Sequence, residues 1–253
     1  MSSSNIQLDD AHTAKILGSF SPERANYQVE INGKIDNIFS KLPLNYNIND
    51  EVKKADINAN YNIDYRVYEK NNKAYTYGAI ALSDILASNN SADVTFNAKK
   101  IKINFFDKYY QSSNSEIFLN NTKFMFSLDT DISDKQIKYI ANSNGLLSDL
   151  FIKRFVKHKL INSFSGESEA NIKLTYELMN KKISMKLSSS LEGMAFNIIS
   201  PFNKSSGEAQ NFQLSYAIEK NRKNRINIKY DSYDIELSKA KSKLYAMVNS
   251  PYL

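Results

Sequence analysis

The sequence predicts a mainly β protein whose strands pair in an antiparallel sheet. Apolar and polar residues alternate with a period of two over much of the chain, and short polar clusters rich in Asn separate the alternating runs. Strands with one apolar and one polar face are typical of antiparallel sheets, which bury one face and leave the other in water. Only one segment shows a clear helical period instead.

Each predicted strand is recognised by its own run of alternation. The clearest run is 55–65, where Ile57 and Tyr61 alternate with Asn58 and Asn60. The runs, in chain order, are 27–31, 55–65, 94–96, 101–105, 124–128, 170–178, 183–187, 212–218 and 226–230. Turns are predicted between them at 71–72, 120–121, 180–181 and 220–224, because Asn tolerates a left-handed backbone and bonds its own backbone locally.

One amphipathic helix is predicted near 146–160. Leu147 and Phe151 lie on one face at helical spacing, together with Ile152 and Phe155, and charged residues lie on the other. A short helical turn is also predicted at 83–87. The first twenty residues are expected to be poorly ordered. Residues 21–253 are expected to form a single elongated β-rich domain, because no Pro-rich or Gly-rich linker interrupts them.

Charge and composition argue against several kinds of chemistry and partner. The formal net charge is +6 and there is no Cys, so neither a disulfide framework nor thiolate chemistry is available. The basic residues are scattered, which favours a solvated surface over nucleic-acid binding, and no nucleic-acid partner is expected. No stretch approaches the ~20 apolar residues that span a bilayer, and the N-terminal residues do not resemble a signal peptide.

The basic residues of the predicted helix have two readings. Lys153, Arg154 and the run 157–159 could contact anionic lipid head groups. Alternatively, the helix covers the end of a sheet and its lysines are solvated. The second reading is preferred, because the basic stripe is short.

The residue types needed for catalysis or metal binding do not cluster in the sequence. The two histidines, His12 and His158, have no Cys near them, and neither a zinc-binding spacing nor a phosphate-binding or nucleophile motif is present. Acidic residues alternate along strands, where a solvated face is the ordinary explanation. The chain is therefore expected not to be an enzyme and to need no cofactor or metal.

One segment carries a more specific pattern. The letters SSLEGMA at 189–195 are followed by an apolar run, by PFNK at 201–204 and by Glu208. This segment resembles a signature of the AsmA-like family, and most closely of its YhdP branch. The resemblance covers about 146–218 and corresponds to a C-terminal-type portion or fragment of the longer family members, which begin with an inner-membrane helix.

The resemblance implies a fold, a function and a location. The implied fold is a long, curved antiparallel sheet that forms a U-shaped, taco-like groove lined with apolar side chains. Family members are implicated in moving phospholipid between the inner and outer membranes of Gram-negative bacteria. The implied partners are phospholipid acyl chains, bacterial membranes and further segments of a longer AsmA-like protein, added strand by strand. The implied location is the periplasm, in association with the inner membrane.

Two sets of residues become candidates. Alternating apolar residues could line the lipid groove, although each could equally be ordinary core. They are Ile57, Tyr61, Ile63, Ile172, Leu174, Tyr176, Ile183, Met185, Leu187, Leu214, Tyr216, Ile226 and Ile228. The signature residues are expected to be structural; they are Ser190, Leu191, Gly193, Ala195, Pro201, Lys204 and Glu208. Lys204 could pair with Glu208 or contact a lipid phosphate.

Other functions remain open at this point. The chain could be a structural or assembly module of the cell envelope, like the TamB-type members of the same broader group, without conducting lipid. It could also be a β-sandwich whose loops bind a ligand. A groove predicts an apolar sheet face that stays partly uncovered, whereas a scaffold or sandwich predicts a face filled by the protein's own side chains.

Overall fold

The computed structural model describes residues 2–9, 12–21, 24–36, 56–70, 73–89, 94–133, 136–155, 162–197, 203–218, 225–240 and 243–249. The chain divides into two compact units, each of which is described by itself. The first contains Met1–Asn121 and Ser127–Thr130, and the second contains Thr122–Phe126 and Asp131–Leu253. The expectation of a single domain over 21–253 stays a prediction.

The first unit is built from strands that pair in chain order. They are β1 (Ser2–Asp9), β2 (His12–Ser21), β3 (Arg24–Asp36), β4 (Asp56–Lys70), β5 (Lys73–Asn89), β6 (Val94–Phe106) and β7 (Tyr109–Leu119). Each strand pairs antiparallel with the next one. The alternation read from the sequence therefore corresponds to a meander of neighbouring strands.

The structure places β1 and β2 near the N-terminus, where the sequence predicted no strand. The expectation that residues 1–20 are poorly ordered stays a prediction. Ten residues of β2 pair with β3, and Ala14 is buried. Pairing with β3 satisfies the backbone hydrogen-bonding groups of β2 whatever its side chains are. The strand can therefore form although its apolar alternation is too weak to predict it from the sequence.

The second unit continues with strands and one short helix. β8 (Thr122–Ser133) contributes residues to both units, and the rest belong to the second: β9 (Gln136–Ser148), α1 (Asp149–Phe155), β10 (Phe164–Glu177), β11 (Lys182–Ser189), β12 (Met194–Phe196), β13 (Phe212–Ile218), β14 (Arg225–Tyr230), β15 (Tyr233–Ala240) and β16 (Lys243–Asn249). The main sheet runs in the order β9-β10-β11-β13-β14-β15-β16, and β12 pairs separately with β10. The chain is thus mainly β, with an open antiparallel sheet and one short helix in the described part, and this predicted fold class is confirmed.

The helix is shorter than the sequence predicted. β9 runs to Ser148, so Leu146 and Leu147 belong to a strand, and α1 begins at Asp149. The Ser148 hydroxyl accepts a hydrogen bond from the Phe151 amide at 3.1 Å and caps the first turn. Residues 156–160 of the prediction lie outside the described part of the chain.

The helical turn predicted at 83–87 is wrong, because these residues lie in β5. Asp84 has a φ of 52°, and the pairing between β4 and β5 shifts by one residue beside it, so the strand contains a bulge. The amide of Asn60 donates to the Asp84 carboxylate at 2.9 Å across this bulge. An extra residue in a strand interrupts its period of two, and this interruption was mistaken for a helical turn.

A glycine in the first unit lets two aromatic rings meet across three strands. Gly78 pairs with Tyr65 on one side and with Phe105 on the other. The rings of Tyr65 and Phe105 stack with their centroids 5.9 Å apart. A Cβ atom at Gly78 would lie 1.8 Å from the backbone oxygen of Asp64 and 3.0 Å from the Phe105 ring. The stack therefore depends on a residue without a side chain between its members.

We expect the substitution Gly78→Ala to destabilise the protein by about 1–3 kcal/mol, because backbone and rings must shift to admit the methyl group. The free energy of unfolding in urea measures the effect. Gly207→Ala is the matched control, since no atom lies within 4 Å of the position that its new methyl group would take. Equal stability of the two variants would contradict the close approach at Gly78.

Candidate functional site

One face of the second unit's sheet presents a continuous apolar surface. Directly opposite residues in antiparallel strands point to the same face, as do residues two apart along a strand. The pairing places three apolar rows side by side. The first contains Ile172, Leu187, Leu214, Ile228 and Ile235, the second Leu174, Met185, Tyr216 and Ile226, and the third Tyr139, Tyr176, Ile183 and Ile218. Every groove candidate predicted in this unit lies in these rows.

These rows are only partly covered. Leu174 is 44% exposed, Ile183 43% and Ile218 41%, and the other members of the rows are half-buried. A second sheet packed against this face would bury such side chains, as it does in a β-sandwich. The described part of the unit therefore does not form a sandwich over these rows. The apolar face keeps surface that a ligand or partner could cover.

One end of the same face is buried. Next to the first row, pairing brings together Ala170, Ser189, Phe212 and Tyr230. Ala170 is 1% exposed and Tyr230 8%. Leu191, Met194 and Phe196 form a core with Tyr230, against which Phe212 packs. These three residues belong to a segment that we call the plug, residues 190–197 and 203–211. The exposure of the face thus increases along the strands away from the plug.

The plug leaves and re-enters the sheet at one point. It connects β11 to β13, and these two strands pair with each other from Ser189 opposite Phe212 onward. Within the plug, β12 pairs with residues 164–166 of β10. The Gln210 amide donates to the Ser190 carbonyl at 2.7 Å and closes the base of the segment. The plug is therefore an insertion in a β-hairpin, folded back over the apolar face.

Gly193 makes the tight turn into β12 possible. Its φ is 92°, and its amide donates to the Ser206 carbonyl at 2.8 Å. A Cβ atom on Gly193 would lie 2.2 Å from the Glu167 oxygen, and one on Gly166 would lie 2.2 Å from the Gly193 oxygen. The two glycines let the backbones of the plug and β10 approach closely. The structural role expected for Gly193 is consistent with this geometry.

Lys204 is buried within the plug, with 5% of its surface exposed. Its Nζ donates to the carbonyl oxygens of Met194 at 2.7 Å and Ser205 at 2.9 Å. Its backbone forms two hydrogen bonds with Phe196, at 2.9 and 3.0 Å. Burial lowers the pKa of Lys204, while the charges of Glu208 and Glu192 oppose that shift. Lys204 therefore joins two parts of the plug through backbone carbonyls.

The remaining signature residues also stabilise the plug locally. The Glu208 carboxylate accepts a hydrogen bond from the Ser205 amide at 3.0 Å. The Ser190 hydroxyl accepts one from the Glu192 amide at 3.4 Å. Leu191 is buried with a φ of 54°, and Ala195 is half-buried in β12. Pro201 lies outside the described residues.

Four residues that form or border the buried end of the face were not predicted as site residues: Met194, Phe196, Phe212 and Tyr230. Phe212 and Tyr230 stood at the ends of predicted strands and were treated as ordinary sheet residues. A signal was present in the alternation of Met194 and Phe196 directly after Gly193. A glycine followed by alternating apolar residues is typical of a strand that starts at a tight turn.

Helix α1 packs beside the plug. The Phe151 ring meets the Phe124 ring edge-on with centroids 5.9 Å apart, and Ile152 packs against the plug core. A Cβ atom at Gly145 would lie 2.4 Å from the Phe124 ring, so the ring covers that glycine of β9. Lys153 forms an ion pair with Asp149 at 2.6 Å. These contacts support the reading of the helix as a cover for one end of the sheet.

At the opposite end of these strands, two tyrosines lie on the apolar face and charged residues lie on the polar face behind it. The rings of Tyr139 and Tyr176 stack there with centroids 6.4 Å apart. Glu177 pairs in register with Lys138 and Lys182, and its carboxylate accepts a hydrogen bond from Gln136 at 2.8 Å. Hydrogen bonding from Asn180, and secondarily from Gln136, lowers the pKa of Glu177, as do the charges of Lys182 and Lys138. We call this set, 136–139 and 176–182, the open end.

The first unit contains the other groove candidates. Ile57, Tyr61 and Ile63 lie on one face of β4 and are half-buried. Pairing places them opposite Ala87, Leu82 and Ile80 of β5, respectively. The pairing thus gives these candidates apolar neighbours within their own unit.

The described residues contain no cluster of three or more His, Cys, Asp or Glu side chains arranged to hold a metal ion. No described helix combines the length and hydropathy needed to cross a bilayer. Comparison of the chain with protein families, curated proteins and solved structures found no match. The resemblance to the AsmA-like family accordingly stays a prediction.

We expect Lys204→Met to destabilise the protein by about 1–3 kcal/mol, because the Met194 and Ser205 carbonyls lose a donor while the apolar stem is retained. Urea unfolding measures the change. Lys186→Met is the control, since Lys186 is exposed on the polar face of β11 and its replacement should cost less than about 0.5 kcal/mol. A cost for Lys204→Met no greater than that of the control would show that its buried hydrogen bonds add no stability.

Proposed function

We propose that the chain shelters phospholipid acyl chains on the apolar face of its sheet, as a segment of a lipid-carrying groove. The observation that carries this proposal is the set of three contiguous apolar rows that remain partly exposed beside a well-packed plug. Exposed apolar patches of this kind mark sites for ligands, partners or membranes. Rows of aliphatic and aromatic side chains without a convergent polar cluster fit a hydrocarbon better than a polar substrate.

The acyl chain would be held on the rows by the hydrophobic effect alone. Each CH₂ group removed from water contributes about 0.8 kcal/mol, and neighbouring positions on the rows offer similar surroundings. A chain could therefore shift along the face without losing all of its contacts at once. No bond is made or broken, so this role needs neither a catalytic residue nor a cofactor.

The open end is the part of the unit that we assign to the polar head group of the lipid. The open end contains Lys138, Lys181 and Lys182 against a single acidic residue, Glu177, which gives it a net positive charge of two. Lys138, Lys182 and Glu177 pair in register on the polar face, at the rim of the apolar rows. A phosphate head group is anionic and would be attracted to such a border. Tyr139 and Tyr176 lie between the charged residues and the aliphatic rows, a position that suits rings with an apolar body and a polar tip.

The cellular setting comes from the family resemblance. It supports transport of phospholipid between the inner and outer membranes of a Gram-negative envelope, with the chain in the periplasm and associated with the inner membrane. Membranes and further strands of a longer AsmA-like protein would be its partners. The apolar face is compatible with that setting but would serve equally in any carrier of acyl chains.

A second candidate function is a scaffold or assembly module of the envelope, as in TamB-type proteins. The observation that favours it is the self-filled core of the plug, where Met194 is completely buried and Leu191 is 4% exposed. In that case the uncovered rows would pack against another protein rather than a lipid. The presence or absence of bound phospholipid separates the two functions.

The decisive test is native mass spectrometry of the purified chain, followed by extraction of any bound lipid. We expect phospholipid to copurify with the unaltered protein. Leu174→Asp should lower lipid loading severalfold, because it places a charge in the middle row of the face. Thr175→Asp is the matched control, since it adds the same charge to the same strand on the opposite face.

Equal loading of the two folded variants would show that the apolar rows are not the binding surface. A folded, unaltered chain that takes up no phospholipid, even when mixed with vesicles, would overturn the lipid function and favour the scaffold.

A further inference from the structure

We propose that the plug is a stop that limits the length of the acyl chain held on the second unit's sheet. The proposal rests on the lipid function above and adds a specificity to it. The terminal methyl group would lie against Phe212 and Tyr230, and the head group would lie at the open end. Chain length, rather than head-group type alone, would then decide which lipids fit.

The apolar face is closed at one end of the strands and uncovered at the other. Along β10, exposure rises from 1% at Ala170 to 44% at Leu174, and Tyr176, which stacks on Tyr139 at the open end, is half-buried. The neighbouring β11 and β13 follow the same trend, from 9% at Ser189 to 43% at Ile183 and from half-buried Phe212 to 41% at Ile218. A hydrocarbon chain aligned with the strands would therefore run from the open end until it met the plug.

The length of the uncovered face is close to that of an acyl chain. The uncovered rows run from Ile172 to Tyr176 in β10, four residue steps that correspond to about 13 Å of strand. The hydrocarbon of one bilayer leaflet is about 15 Å thick, half of the ~30 Å core. The uncovered rows are therefore about as long as the acyl chain of an ordinary membrane lipid, and a longer chain would reach the plug.

The plug is firmly attached to the sheet and to itself. Its backbone is joined by the bonds from Gly193 to Ser206 at 2.8 Å and from Gln210 to Ser190 at 2.7 Å. Lys204 adds its bond to the Met194 carbonyl at 2.7 Å. Met194 has no exposed surface and contributes to a core that already fills this end. Such a core would not open for one more CH₂ group without losing its own contacts.

The test uses the full chain and lysophosphatidic acids with single acyl chains of about 10 to 20 carbons, a range that brackets one leaflet. Affinity should rise up to about fourfold for each added CH₂ group and then level off or fall when the chain reaches the plug. Isothermal titration below the critical micelle concentration measures the dissociation constants.

Two substitutions should move this limit in opposite directions. Phe212→Ala removes a ring at the border of the plug and should move the limit to longer chains. Leu214→Trp fills the first row and should move it to shorter chains. Gln213→Ala, on the opposite face of the same strand, should leave the limit unchanged. Circular dichroism checks that each variant is folded.

A second measurement uses the unaltered protein and therefore does not depend on the folding of any variant. A lysophosphatidic acid that bears a photoreactive group at the end of its acyl chain should crosslink to peptides containing Phe212, Tyr230 or residues of the plug. Crosslinks spread evenly along the rows, or concentrated at the open end, would overturn the stop.

The outcomes separate this proposal from the one on which it rests. If no chain length binds, the lipid function itself fails. If lipids bind but affinity rises steadily through the longest chain, or the limit is the same in both folded face variants, the lipid function survives and the stop does not.

Discussion

The register between neighbouring strands is the constraint on which the rest of the structure depends. Because side chains alternate between faces, a slip of one residue would turn an entire apolar row into water. Tight turns hold the register where hairpins reverse. Asn120 and Asn121 both have positive φ values, 48° and 66°, and Asp231 has a φ of 50°. Asn and Asp adopt this backbone more readily than other residues with side chains, and positive φ at the turn matches the twist of the paired strands.

The plug covers part of an apolar surface that the strand register creates. Aligned apolar rows form a broad apolar surface, and a single sheet has no second layer with which to cover it. Folding part of a hairpin connection over one end buries that end, at the cost of placing polar backbone in an apolar setting. Backbone pairing in β12 and the buried Lys204 satisfy those polar groups. The remaining rows have no such cover among the described residues of this unit. One face of the sheet is therefore buried under the plug and partly exposed beyond it.

Much of the sheet could be predicted, because alternation and strand register obey the same period of two. The groove candidates of the second unit share one face for that reason. The start of α1 was missed because Leu146 and Leu147 suit a strand or a helix equally well, and periodicity does not separate the two in a short apolar run. β2 was missed because its stability comes from pairing with β3. The burial of Lys204 could not be anticipated, since a lysine next to serines ordinarily reaches solvent.

The two ends of the plug face each other across a single pair of residues, Ser189 and Phe212. An inserted segment of this kind can be lengthened, shortened or exchanged during evolution while the hairpin that holds it keeps its pairing. The added entropy of closing a longer loop is small, about 0.6 kcal/mol for each doubling of length. Related sequences could therefore diverge in the plug while conserving the surrounding alternation. Their sheets would stay the same while the ligands that they prefer change.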